Sequence, residues 1–125
     1  MHLNHLHLSS TDVVASSAFL CEHFGFSLST GHATKAFAAL EDSEGFSVVL
    51  MALKPGESYP EMFHVGFLLQ EEQAVHAQHE KLLQGGIDVG PLEMSRGALR
   101  FYCKAPGGLL IEVGHAPGAV ETTVP

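Results

Sequence analysis

The chain has 125 residues, 46% of them apolar, and carries a formal charge of −8 with only six Lys and Arg. That length supports one domain with a true hydrophobic core, and that apolar content excludes a disordered chain. The acidic balance repels phosphate, which speaks against nucleic acid and anionic membrane surfaces as partners.

No apolar run approaches the roughly 20 residues of a membrane helix. Met1 to Leu8 has neither a basic segment nor a continuous apolar stretch, so it does not read as a signal peptide. Cys21 and Cys103 show no metal-type spacing, and a bridge between them would be unusual in a reducing compartment. A soluble cytosolic protein is expected.

Residues 3–8 alternate apolar and polar, the period of a half-buried strand, with Leu6 and Leu8 on one face and His5 and His7 on the other. Ser10-Thr11-Asp12 offers helix-capping chemistry, and Val13, Val14, Ala18, Phe19, Leu20 and Phe24 follow at roughly helical spacing up to a stop at Gly25. Short strands are expected at 26–29, 36–40 and 46–53, parted by turns at 30–32 and 42–45.

After a linker at 54–61 the pattern restarts. A strand is expected at 63–69, a helix at 70–84 ended by Gly85-Gly86, and strands at 87–89, 98–104 and 109–114. The tail 116–125 has few core formers and is expected to fray. The organisation is thus an internal repeat, with module 1 at about 1–53 and module 2 at about 62–115 of a single domain spanning 1–125.

The repeat places His5 and His64 in the first strand of each half. Aligning Gly45 with Gly108 sets Val49 opposite Glu112. In 63–69, Val65, Phe67 and Leu69 should pack on the helix, turning His64 and Gly66 the other way. In 109–113, Leu109, Ile111 and Val113 take the helix side and push Glu112 to the face of the histidines. Phe101 likewise faces the helix, while Arg100 and Tyr102 face away from it.

A carboxylate within an apolar strand needs a partner. Two imidazoles and a carboxylate form such a set, which holds Zn²⁺ in hydrolytic sites and Fe²⁺ in oxygenases. His5, His64 and Glu112 are therefore the candidate ligands of one divalent ion. An ion pair between Glu112 and Arg100 is the simpler alternative. His76 and His79, three apart on the second helix, are expected to face solvent beside Glu72 and Glu80.

These residues resemble the vicinal oxygen chelate superfamily, which includes glyoxalase I, extradiol dioxygenases, fosfomycin-resistance thiol transferases and bleomycin-binding proteins. The resemblance covers residues 3 to 115. It rests on Leu3-Asn4-His5-Leu6-His7-Leu8 with Asp12 and Phe24-Gly25-Phe26, and on Phe63-His64-Val65-Gly66-Phe67. Its most specific element is the run from Phe101 through Ala105-Pro106-Gly107-Gly108 to Glu112. It implies an α+β fold of two βαβββ modules around a U-shaped, metal-holding cleft, and commonly a homodimer; in some members modules from two chains complete the cleft, and His5 of one subunit would then meet His64 and Glu112 of the other.

Departures from the subfamilies narrow the function. The extra glutamate ligand of glyoxalase I would fall near Val49. A tyrosine stands ten residues before Glu112, as in extradiol dioxygenases, but Glu93-Met94-Ser95 stands where their usual histidine would be. Cations suited to a phosphonate are few. The leading expectation is a metal-dependent enzyme, glyoxalase (lyase)-like or dioxygenase-like, acting on a small oxygen-bearing substrate. Fe, Zn, Ni or Mn would be its ion. Tyr102 and His7 are candidate catalytic groups, as hydrogen-bond donor and as base or orienter. Arg100 is the candidate substrate-binding residue, against a reading as a solvated strand-edge charge.

The alternative is a bleomycin-resistance-like binding module without turnover, for which Phe26, Phe37, Phe46, Met51 and Met62 would supply an apolar cleft unless most are ordinary core. Adventitious metal binding by His2, His5 and His7 is a third option.

Overall fold

The computed structural model describes residues 1–115; the expectation for the tail, 116–125, falls outside them. Two compact units emerge, one of residues 1–61 with 105–109, the other of the remaining described residues. Both are βαβββ modules in which a helix covers one face of a mixed sheet.

Unit 1 runs β1 (His5–Ser10), α1 (Val13–His23), β2 (Ser27–Leu28), β3 (Phe37–Glu41) and β4 (Ser47–Ala52). Its sheet order is β1-β4-β3-β2, with β1 parallel to β4 and the other pairs antiparallel. Asp12 caps α1 by accepting a bond from the Ala15 amide at 3.0 Å. At its other end the Phe24 amide donates to Leu20, and Gly25 turns the chain away at φ +76°.

The apolar stripe of α1 differs from the expected one: Val14 is exposed, whereas Ser16 and Ser17 are buried beside Phe19 and Leu20. Ser16 tolerates burial because its hydroxyl donates to the Pro106 carbonyl at 2.6 Å and meets Ser10 Oγ at 2.6 Å. Strand β1 also begins and ends two residues later than alternation suggests. The parallel ladder sets its ends, pairing His5 with Ser47 and Ser10 with Ala52.

Unit 2 contains β5 (His64–Leu69), α2 (Glu72–Gln84), β6 (Asp88–Val89), β7 (Glu93–Ser95), β8 (Ala98–Lys104) and β9 (Leu110–His115). The order is β5-β9-β8-β6, and β7 also pairs with β8. Strands β6 and β7 occupy opposite ends of β8, so together they fill one strand position.

Strand β7 was not expected. Pro91 has no amide to donate and interrupts that edge, which splits it into two short pieces. A two-residue turn at Arg96-Gly97, both at positive φ (50° and 78°), then joins Ser95 to its partner Ala98. The core of unit 2 is Val75 and Leu82 of α2 with Phe101, Cys103, Ile111 and Val113 of the sheet, all at most 1% exposed. Each such side chain contributes about 1.5–3 kcal/mol by leaving water.

His79 does not face solvent as expected. Its Nε2–H donates to the Gly90 carbonyl at 2.8 Å, and its ring stands edge-on to Phe101 at 4.9 Å. Burial raises the Cys103 thiol to about 11. No helix among the described residues is long and apolar enough to cross a membrane.

The tightest packing is at Gly107, in the turn that unit 1 takes from between β8 and β9. A Cβ there would lie 2.0 Å from Ser10 Oγ and 2.2 Å from Ser16 Oγ, at φ +92°. Gly108, at φ +95°, has nothing within 4 Å. Gly107→Ala is expected to destabilise the protein by about 3 kcal/mol and Gly108→Ala by about 1 kcal/mol, measured by urea denaturation.

A raised pKa has a consequence for stability. Cys103 holds its proton more tightly when folded, so its contribution is fully present below its ordinary 9.0 and is lost as pH rises towards about 11. The urea midpoint is expected to fall across that interval, and less so in Cys103→Ala.

Candidate functional site

The chemistry-bearing side chains of unit 2 share the sheet face that α2 leaves open. Register puts Glu112 of β9 between Gly66 of β5 and Tyr102 of β8, with His64 and Arg100 two pairs further along in opposite directions. Ile111 and Val113 are held on the helix side by burial, so alternation forces Glu112 onto this face.

Glu112 is nearly buried, its side chain 12% exposed. Its two oxygens have different neighbours. Oε1 lies 3.8 Å from His64 Nε2, while Oε2 lies 3.6 Å from Arg96 and 3.7 Å from Arg100. Gly66 keeps the approach open, since even a Cβ there would stand 3.7 Å from Oε1.

His64 Nδ1 meets the Met62 carbonyl at 2.9 Å. A carbonyl only accepts, so Nδ1 carries the proton and donates it. In its neutral form the ring therefore turns a bare Nε2 towards a carboxylate oxygen. Two acceptors facing each other call for a cation between them, either a proton or a metal ion. Donors about 2.1 Å from one tetrahedral ion stand about 3.4 Å apart, so 3.8 Å asks for only a small adjustment. An Nδ1–H anchored on a backbone carbonyl is also how ligating histidines are commonly oriented. The pair fits a metal ion.

Arg100 is not the solvated strand-edge charge considered above. The β6–β7 edge covers β8, and the Arg100 side chain is 17% exposed, with Nε donating to the Ser95 carbonyl at 3.2 Å. Gly114, its cross-strand partner, leaves room for it: a Cβ there would come within 3.1 Å of Arg100 Cγ. Tyr102 stands edge-on to His64 at 5.4 Å. Burial pushes its hydroxyl above the usual range, reinforced by the Glu112 charge and by a hydrogen bond with Glu112, while Arg96 and Arg100 pull it down.

In unit 1 the equivalent open face carries His5, His7 and Ser9 of β1 beside Ser47, Val49 and Met51 of β4, with Phe37 of β3 paired to Met51. Both histidines are exposed. His5 Nδ1 is engaged by Asn4 Oδ1 at 2.7 Å, which leaves its Nε2 free to ligate. Phe37 and Met51 are about two-fifths exposed and Met62 is exposed, so none of the three is core, whereas Phe26 is buried. Among the described residues, no three His, Cys, Asp or Glu side chains are grouped to hold a metal ion.

A sequence profile of the Glyoxalase/Bleomycin resistance protein/Dioxygenase superfamily matches residues 2–113. The chain belongs to this superfamily. A solved structure of a possible glyoxalase from Bacillus cereus is 40% identical, over 90% of this chain and 97% of that one, with a TM-score of 0.80. The fosfomycin resistance protein FosX from Listeria monocytogenes (18% identity, 99% and 98% covered, TM-score 0.77) shares the fold. So does a lactoylglutathione lyase from Agrobacterium tumefaciens (16% identity, 90% and 91% covered, TM-score 0.68). No curated protein matches. The superfamily consists mostly of enzymes and is commonly metal-dependent.

Arg96 is the site residue that reading the sequence overlooked. The available signal was the Arg96-Gly97 pair between Ser95 and Ala98, since a two-residue turn ending in Gly implies a hairpin. Asn4 and the Met62 carbonyl, which orient the two histidines, leave no such mark.

The Tyr102 proton is held more tightly folded than unfolded, so its stabilising contribution is complete below its ordinary 10.0 and fades above it. Ultraviolet titration, with Tyr102→Phe to assign the signal, should show Tyr102 ionising above pH 10. A Tyr102 that ionises at or below pH 10 contradicts the described packing.

Proposed function

We propose that the protein is a divalent-metal-dependent, glyoxalase-like enzyme acting on a small oxygen-bearing substrate, with His5, His64 and Glu112 as the ligands. The observation that carries this reading is His64 Nε2 facing Glu112 Oε1 at 3.8 Å with Nδ1 already spent on Met62. Lyase-like chemistry is preferred to dioxygenase-like chemistry because the 40% identical relative is described as a possible glyoxalase. Val49 stands where a fourth, glutamate ligand would fall, so the three-ligand set differs from that of glyoxalase I.

When bound, the ion would act as a Lewis acid that stabilises an enolate or oxyanion. The remaining work falls to side chains. Tyr102 stays protonated through burial and Glu112, and its single O–H proton, given to Glu112 beforehand, turns to a substrate oxygen when substrate binds. Arg100, fixed by Ser95 and Gly114, holds the substrate in place. His7, on the face of His5, serves as base or orienter.

In this reading both modules form one functional domain of a cytosolic homodimer. The ligand set joins module 1 to module 2, within a chain or across the dimer. Mixing His5→Ala protein with Glu112→Gln protein separates these: shared sites regain metal in mixed dimers, and sites within one chain do not.

A metal-free binding module is the second reading. It is favoured by Arg96 and Arg100, which already balance the Glu112 charge. Elemental mass spectrometry on untagged protein purified without chelators decides between the two. The enzyme reading expects about one metal ion per chain in wild type and none in Glu112→Gln. Equal metal in both proteins, or none in wild type after reloading, overturns it.

A further inference from the structure

The Glu112 carboxylate divides a small region of unit 2 into two sides. Oε1 belongs to His64, while Oε2 faces two guanidinium groups. On the guanidinium side lies a cavity of about 180 Å³. Arg96, Arg100, Ser95, Tyr102, Glu93 and Glu112 contribute to its lining.

The two arginine contacts, at 3.6 and 3.7 Å, are longer than hydrogen bonds, so the terminal N–H donors of both groups are not committed to Glu112. Among the described residues Arg100 spends only its Nε in a hydrogen bond, on Ser95. Two permanent positive charges therefore face one buried carboxylate, Arg100 from an enclosed side chain and Arg96 from one that is 70% exposed, which leaves an excess of one positive charge beside it. Glu93 is exposed at its rim and makes no ion pair among the described residues.

Arg96 carries a further mark. It occupies the left-handed region at φ +50°, the only non-glycine residue among those described that does so. A side chain there is strained, and asparagine or glycine is the residue that such a turn favours. Local strain of this kind clusters where a side chain has a task to perform. Here it aims a long cation across the mouth of the cavity at Glu112.

We propose that Arg96 and Arg100 form a carboxylate-binding subsite beside the His64–Glu112 pair, so that the substrate is a small organic acid. The planar guanidinium forks match a planar carboxylate. One unbalanced charge suits a monoanion better than a dianionic phosphate or phosphonate, and Glu93 opposes any further negative charge. The inference rests on the reading of this face as the substrate site. It does not require the metal for its test.

The test is calorimetric titration of metal-free protein with pyruvate, lactate and benzoate, each against its neutral amide, and with inorganic phosphate. The expected result is that at least one acid binds about tenfold tighter than its amide and tighter than phosphate. Arg96→Asn should weaken that binding about tenfold while the melting temperature holds or rises, because asparagine suits the turn. Arg96→Lys should restore part of the affinity.

Equal binding of acids and amides, no binding of any acid, or an unchanged affinity in Arg96→Asn overturns the proposal. Phosphate binding tighter than every acid overturns the carboxylate class. Metal content measured on the same proteins as purified, before the metal is stripped for titration, keeps the two claims apart. Arginine-dependent acid binding without metal retention removes the enzyme reading alone, and metal retention without it removes the subsite alone.

Discussion

The constraint on which the rest of unit 2 depends is a carboxylate enclosed on an apolar strand. Glu112 sits between Ile111 and Val113, each at most 1% exposed, and its own side chain is almost as enclosed. An unpaired charge in that place would be strongly destabilising. Everything around it answers that requirement: two guanidinium groups on one oxygen, an imidazole on the other, and a tyrosine hydroxyl alongside. Side chains gathered to satisfy one buried charge also form a site able to hold a cation and an anion side by side.

The backbone supports this arrangement in specific ways. The hairpin at Arg96-Gly97 returns the chain over β8, and glycine at 66 and 114 leaves space for Glu112 and Arg100. The Met62 carbonyl fixes the ring of His64. In unit 1 the same βαβββ scaffold carries Val49 at the repeat-related place, so the two faces have diverged in charge while keeping their topology. There His5 and His7 project from β1 beside Val49, Met51 and Phe37.

Much of this was legible in the residues. Alternation in 63–69, 98–104 and 109–114 placed His64, Arg100, Tyr102 and Glu112 on one face, because burial of Phe101, Ile111 and Val113, with Val65 half-buried, leaves them no other. The superfamily followed from the run ending at Glu112 and from the two first-strand histidines. Strand ends were less legible, since β1 is bounded by its parallel partner and not by its own pattern. The buried position of Ser16 depends on the Pro106 carbonyl, 90 residues away, and no local rule reports such a contact. His79 was misjudged for the same reason: a histidine among glutamates reads as solvated until the Gly90 carbonyl and the Phe101 ring are seen to cover it. Arg96 was missed because an arginine in a left-handed turn runs against propensity.

The central claim is that His64 offers Nε2 to a cation shared with Glu112 while Nδ1–H stays on the Met62 carbonyl. Long-range proton–nitrogen spectra of the His64 ring, assigned with His64→Ala and recorded during titration with zinc, test it most directly. The account predicts that Nδ1 keeps its proton throughout and that the Nε2 resonance moves on metal binding, in wild type but not in Glu112→Gln. A His64 ring protonated at Nε2 alone, or unchanged at saturating zinc, would contradict it.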